Sequence, residues 1–379
     1  MSKIKVLYVC HTPITKGGAT FSLLNMIEAA KDFVEPVVLF PSGGQAYELF
    51  KNRGIKCIIE PFSDNIYHPL NRRLELLRRV REYYRRLKFD NNCVKNILEI
   101  LKSENIDVVH SNSSVITVGP KIAKALRCKH VWHIREYQNL DFGFEPLNGW
   151  RLFINALKRS DAIIGITYAI VEHFKVAKLP QSYCIWNAVR HKDEIVYIKE
   201  KEKFLLFCAT YICKGKGAEL CVEAFGLSNL ASKGYKLLMI GQQSDTDIIN
   251  RINEISVKYD LDNSIEFLGF CDDVGSYMAK ASAFIMSSDC EGMGRVTIEA
   301  MFYGCPVIGR ATGGTAEIIT HNETGFLFTN VNECAELMVK TCTSDNTAII
   351  KNAHDFVKKN FTVECYGEKI VNVYKTLLQ

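Results

Sequence analysis

Residues 287–304, SSDCEGMGRVTIEAMFYG, decide how the rest of the chain is read. They follow the apolar run Ala283-Phe284-Ile285-Met286, which has the length and setting of a buried strand. Glycines 292 and 294 break the run, and Val296, Ile298, Ala300 and Met301 then recur at helical spacing. Strand, glycine turn and helix N-terminus together make an anion site, because unpaired N–H groups and the positive dipole end point at the loop. A carboxylate is unwelcome beside a bare phosphate, so Glu291 is placed to accept hydrogen bonds from hydroxyls next to the anion. Glu299 lies about 7.5 Å along the helix from Gly294, at 1.5 Å per residue. One carboxylate at the turn and one on the helix suit a ligand carrying both phosphates and hydroxyls, although the spacing alone equally allows a structural role.

The pattern continues. EGMGRVTIEAM (291–301) is followed by Gly304-Cys305-Pro306-Val307-Ile308, by Gly313-Gly314 with Glu317-Ile318-Ile319, and by Thr324-Gly325-Phe326-Leu327. In order and spacing, residues 291–327 resemble the carboxy-terminal signature of the family-4 retaining glycosyltransferases, with Glu291 and Glu299 on that family's E-x7-E pair. The resemblance implies the GT-B architecture: two Rossmann-like, doubly wound α/β domains facing each other across a cleft. It also implies transfer of a hexosyl or N-acetylhexosaminyl group from a nucleotide-diphosphate donor, with retention at the anomeric carbon. In that reading Glu291 holds donor sugar hydroxyls and Glu299 the ribose, and Gly292, Met293, Gly294 and Arg295 line the donor.

At 379 residues the chain is long enough for two domains. Hydrophobic content of 47% with 23% charged residues is that of an ordinary globular protein. The opening MSKIKVLYVCHTP has too short an apolar run for a signal peptide, and no stretch approaches a membrane span. Fourteen cysteines are dispersed without C-x2-C spacing and read as buried thiols of a reducing cytoplasm. Nine histidines show no H-x3-H pattern, so neither a structural metal nor a cofactor is expected. The sugar nucleotide is a co-substrate.

In the first half, apolar runs at 4–10, 36–40, 56–59, 108–110, 131–134 and 162–166 alternate with helical patterns at 21–30, 46–53, 94–101 and 122–126. That alternation predicts parallel βαβ units, with ligands beyond the carboxyl ends of the strands. The first end carries Lys16-Gly17-Gly18-Ala19, which is not the G-x-G-x-x-G of dinucleotide enzymes. By the resemblance, Gly17 and Gly18 face the donor diphosphate. His133 falls where the family carries a histidine near the donor sugar, and His110, Arg135 and Asn187 are candidate acceptor contacts at other strand ends. A lone histidine at a strand end is also commonly structural.

The sequence divides into residues 1–190, a charged linker at 191–203, a second domain at 204–360, and a terminal helix at 361–379 that the fold returns to the first domain. The second domain has strand-like runs at 204–209, 237–240, 265–268, 284–286, 306–308 and 326–328. Its helical patterns fall at 218–227, 248–258, 296–303, 335–341 and 349–357. Lys214-Gly215-Lys216-Gly217 precedes the first of these helices, where glycines and cations suit a diphosphate. Lys216-Gly217 takes the place of the family's Lys-Gly. The family's arginine five or six residues earlier is replaced by Thr210 or Tyr211, so Lys214 supplies the second cation or it is absent. Asp245-Thr246-Asp247 is a D-x-D, a metal signature of another glycosyltransferase fold, but it opens a helix and is expected to cap it.

Between residues 71 and 88, eight cations stand against Glu75 and Glu82, a net +6 within a chain whose total is +5. Leu70, Leu74, Leu77, Val80, Tyr84 and Leu87 recur every three or four residues and draw an apolar stripe. An apolar stripe flanked by arginines is the pattern of a helix lying on an anionic membrane, and it equally fits a stripe packed on its own domain with a solvated basic face; the two coexist if the stripe turns inward and the arginines touch headgroups. A nucleic-acid partner is not expected, since no binding module accompanies the charge. The expected partners are a nucleotide-sugar donor, a glycan or lipid-linked acceptor, and an anionic bilayer at the inner face of the membrane. A sugar-nucleotide epimerase of the same architecture is the alternative activity.

Overall fold

The computed structural model describes residues 3–15, 18–69, 75–194 and 200–379. Gly17, the stretch 70–74 with its two arginines, and residues 195–199 of the expected linker lie outside the described residues. The chain forms two compact units, one of Met1–Ala188 with Val363–Gln379 and one of Val189–Thr362.

The first unit contains β1 (Ile4–Val9), β2 (Val34–Phe40), β3 (Lys56–Ile59), β4 (Ile66–Tyr67), β5 (Val108–Ser111), β6 (Lys129–Ile134), β7 (Glu145–Pro146), β8 (Ala162–Gly165) and β9 (Ser182–Cys184). Seven of them form one parallel sheet in the order β3-β2-β1-β5-β6-β8-β9, while β4 and β7 pair separately as an antiparallel ribbon. Strand alternation sorts the core. Val6, Tyr8 and Cys10 join Leu23, Ile370 and Tyr374 on one face, and Leu7 and Val9 join Cys93, Ile97 and Ile122 on the other. The terminal helix Val363–Leu378 thus contributes to the first unit's core.

The second unit repeats the plan with β10 (Glu202–Ile212), β11 (Lys236–Gln243), β12 (Ile265–Gly269), β13 (Ala281–Met286), β14 (Val307–Arg310) and β15 (Phe326–Phe328). All pairs are parallel, in the order β12-β11-β10-β13-β14-β15. Glu202 and Lys203, expected in the linker, are the first residues of β10. In each sheet the strand order reverses beside the first strand, between β1 and β5 and between β10 and β13. Ligand sites in open α/β sheets sit outside the carboxyl ends at such reversals.

The basic block differs from expectation. Residues 75–100 form a single 26-residue helix, Glu75–Ile100, into which the helix expected at 94–101 merges. Its C-terminal half packs inward through Cys93 and Ile97, and buried Asp90 accepts from Ser63 Oγ at 2.7 Å and Lys121 Nζ at 2.9 Å. Leu70 and Leu74 of the stripe lie outside the described residues; Leu77, Val80 and Tyr84 face solvent, Leu77 and Tyr84 each 64% exposed, beside the exposed Leu76, while Leu87 is half-buried. The inward side is polar. Arg79 donates to Leu147 O at 2.9 Å and Pro146 O at 2.5 Å, and Arg86 donates to Ile66 O at 3.2 Å. Two-residue strands leave carbonyls unpaired at their edges, and guanidinium groups satisfy them, so arginine displaces leucine from the packed side. Among the described residues no helix is long and apolar enough to cross a membrane.

Candidate functional site

In the second unit the loops after β10 and β13 interlock. Gly217 caps helix Ala218–Ser228 with φ +69°, and a Cβ there would meet Ser287 O at 2.0 Å. Only glycine permits this approach. Asp289 N donates to Gly215 O at 2.9 Å, closing the same contact from the other side. Lys216 is thereby fixed with Nζ 2.8 Å from Glu291 Oε1.

Helix Arg295–Phe302 begins directly after this turn, capped by Gly294 at φ +73°. Two buried polar atoms in its first turn, Arg295 Nε and Thr297 Oγ1, have no hydrogen-bond partner among the described residues. An unpartnered buried polar atom is open to a water or a ligand. Arg295 also lies 3.9 Å from Glu299. Burial raises the Glu299 carboxyl above its ordinary pKa, while Arg295 and Arg190 pull it back down. The glycine pair after β14 explains itself here: Gly314 N donates to Glu291 O at 2.8 Å, and a Cβ on Gly314 would meet Gly292 O at 2.6 Å. Met293 is buried beneath the same turn. The arrangement offers two cations and a helix N-terminus to an anion, and two carboxylates to hydroxyls.

Lys214 is exposed, and its backbone N–H donates to Asp245 Oδ2 at 3.1 Å. Asp245 Oδ1 accepts from Ile248 N at 3.3 Å, so Asp245 is the N-cap of helix Thr246–Tyr259, with Asp247 in its first turn.

In the first unit, the carboxyl ends of β5 and β6 carry a buried polar network. Arg135 donates through Nη2 to Asn112 Oδ1 at 2.7 Å and reaches His133 Nδ1 at 3.3 Å, Tyr366 Oη at 3.3 Å and the side chain of Asn187. His110 Nε2 stands 3.2 Å from His133 Nδ1, and His110 Nδ1 stands 2.7 Å from Tyr374 Oη. His133 Nε2 is buried with no hydrogen-bond partner among the described residues. Burial, with Arg135 close by, holds both imidazoles well below their ordinary pKa and therefore neutral. Alongside, Glu136 accepts from Ser113 Oγ at 2.6 Å and Ser114 N at 2.8 Å. Burial pushes Asp64 up to about 6.

Residues 190–358 match the family model described as glycosyl transferases group 1. An uncharacterized glycosyltransferase of Methanocaldococcus jannaschii is 26% identical over 92% of each chain. Residues 190–358 are thus similar to group 1 glycosyltransferases, and the fold is of the GT-B type. N-acetyl-alpha-D-glucosaminyl L-malate synthase of Bacillus anthracis is 24% identical over 76% of this chain and 78% of its own. Among solved structures, Anabaena HepE in complex with UDP superposes with a TM-score of 0.79 at 18% identity, covering 98% of this chain and 100% of that one. A second HepE structure, in complex with UDP-glucose, has a TM-score of 0.74 at 19% identity and the same coverage.

The fold brings Lys216, Gly292, Met293, Gly294, Arg295, Glu291 and Glu299, the residues expected at a donor, onto two adjoining loops and one short helix. Gly18 opens helix Gly18–Ala29 and is exposed. His110, His133, Arg135 and Asn187 also come together, but as a buried cluster rather than an open rim, and Arg135 and Asn187 bond to one another. The terminal helix, through Tyr366 and Tyr374, occupies their outer side. Two residues were not singled out from the sequence: Arg190, which acts electrostatically on Glu299, and Glu136, which lies in the His133–Glu136 strand end but carries no periodic signal.

Proposed function

We propose that the chain is a retaining, metal-independent transferase that moves a hexosyl or N-acetylhexosaminyl group from a nucleoside-diphosphate sugar to a glycan or lipid-linked acceptor. The observation that carries the donor assignment is the Lys216–Glu291 pair, set beside the unsatisfied Arg295 Nε at a helix N-terminus. In this reading Lys216, Arg295 and the N-terminal turn of helix Arg295–Phe302 stabilise charge developing on the departing diphosphate. Glu291 orients sugar hydroxyls and Glu299 the ribose, while His133 in the first unit meets a substrate oxygen. The bond from the anomeric carbon to the diphosphate oxygen breaks as the bond to the acceptor oxygen forms on the same face, and the acceptor's proton passes to the leaving phosphate. No carboxylate is assigned as a nucleophile. A uridine donor is favoured by the UDP and UDP-glucose bound to HepE. Asp245 and Asp247, engaged at a helix start, are given no metal to hold.

The finer reading of the partner rests on the exposed face of helix Glu75–Ile100. Leu76, Leu77, Val80 and Tyr84 occupy one exposed arc, and Arg78, Arg81, Arg85 and Lys88 the adjoining one. An apolar arc beside a cationic arc suits the headgroup boundary of an anionic bilayer, where a lipid-linked acceptor would be met.

The test of transfer is proton NMR of the sugar first released when the enzyme turns over UDP-glucose or related α-linked donors, into water or an added acceptor. Initial appearance of the α-configured product supports retention; initial β-product, or no turnover with any sugar nucleotide, overturns the reading.

A further inference from the structure

The network behind His133 has a direction. Arginine carries only donors, so the 3.3 Å contact from Arg135 Nη2 obliges His133 Nδ1 to accept. A neutral imidazole with an accepting Nδ1 carries its proton on Nε2. His110 Nε2, 3.2 Å from that same Nδ1, must then be a donor as well, which leaves His110 Nδ1 as an acceptor. The group 2.7 Å from His110 Nδ1 is the Tyr374 hydroxyl, which supplies the proton. Tyr374 has a single proton, and with it given to His110 at 2.7 Å the longer 3.3 Å contact between the Tyr374 and Tyr8 hydroxyls is made by Tyr8 as donor. Each ring nitrogen of the pair then has a partner except the protonated His133 Nε2, which is buried and without one among the described residues.

We propose that Tyr374, acting through His110, and Arg135 are positioning residues that lock His133 in its Nε2–H form, so that His133 serves as a fixed hydrogen-bond donor to a substrate oxygen and not as a general base. The inference rests on the reading of His133 as a residue that meets substrate. It gives helix Val363–Leu378 a part in the site beyond packing, because the hydroxyl that sets the His110 tautomer comes from it. Both histidines stay neutral because burial disfavours the imidazolium and the adjacent guanidinium opposes a second positive charge.

The experiment is long-range proton–nitrogen correlation NMR of the full chain labelled with nitrogen-15 histidine, with His110→Gln and His133→Gln spectra to assign the two rings. The expected wild-type result is a neutral Nε2–H pattern for both. In Tyr374→Phe, which keeps the ring and removes the hydroxyl, His110 is expected to populate both tautomers. Turnover of donor is expected to fall about tenfold in kcat with donor KM within about twofold, as for an interaction made chiefly in the transition state. A wild-type His133 protonated on Nδ1 would overturn the proposal, as would a His110 pattern that Tyr374→Phe leaves unchanged. Because the tautomers are read without substrate, their failure is distinct from a failure of the enzyme to transfer sugar.

Discussion

Lys216 Nζ and Glu291 Oε1 lie 2.8 Å apart, joining the loop after β10 to the loop after β13 across the point where the strand order reverses. The two side chains are 38% and 19% exposed, and pairs so open to water contribute about 0–1 kcal/mol. The pair therefore costs little to part when a diphosphate takes the cation and hydroxyls take the carboxylate. Glu291→Ala is expected to leave folding intact and lower kcat by about a hundredfold or more. Urea unfolding and donor turnover measured on one preparation check both halves. Unchanged turnover in the folded variant would remove Glu291 from the site.

Asp245 has a structural task, accepting from Ile248 N and Lys214 N. Asp245→Asn keeps a good N-cap, whereas Asp245→Ala is expected to cost about 1 kcal/mol of stability. Transfer by the wild type and by Asp245→Asn is expected to persist in excess chelator. Loss of activity on chelation, restored by Mg2+ or Mn2+, would return the aspartates to a metal role.

His130 is buried between Ser111 Oγ at 3.0 Å and Ser160 Oγ at 3.2 Å, and burial lowers its pKa to about 3. A histidine held neutral in the fold but free to protonate when unfolded stabilises the protein above the unfolded pKa near 6.5. That contribution is lost as pH falls from about 6.5 toward about 3, at about 1.4 kcal/mol per pH unit for each such group. Stability measured by urea unfolding should drop through this window, and His130→Gln should drop less steeply by about that amount. Equal slopes for the two proteins would show that His130 is charged in the fold.

The outward arc of helix Glu75–Ile100 makes a separable prediction. Of the four cations beside it Arg85 is paired with Glu82, so Arg78, Arg81 and Lys88 supply most of the attraction to an anionic leaflet. Co-sedimentation with phosphatidylglycerol vesicles is expected at low salt and is expected to weaken at high salt and on neutral phosphatidylcholine. Arg81→Glu with Arg85→Glu should abolish the salt-sensitive part, and Leu77→Ser with Tyr84→Ser should weaken binding at both salts. A wild type that ignores anionic vesicles, or self-associates through this face instead, contradicts the assignment.

Much of the fold was legible because the strands are short apolar runs closed by glycine or polar residues. β3 and β15 fall at the residues expected, and the turn at Gly292–Gly294 lies where the apolar run breaks. The two loops that the fold brings together were legible as glycine turns before helices, with Lys216 and Glu291 on them. Which way the helix face turns was left open by the sequence, because it is set by Arg79 answering carbonyls near residue 146, far along the chain. Tyr374 meets His110 across 264 residues, and no local pattern announces such a contact. The sequence placed polar residues at the strand ends without saying which would be covered.

The central claim, that the loops around Lys216 and Glu291 bind a nucleoside-diphosphate sugar, is tested most directly by calorimetric titration of UDP, with GDP and ADP in parallel, into the wild type, Lys216→Ala and Glu299→Ala. The account predicts saturable binding of one diphosphate by the wild type and about tenfold or greater weakening in each variant, since each removes a charged contact. Absence of binding by all three nucleotides, or variants that bind as tightly as the wild type, would contradict it.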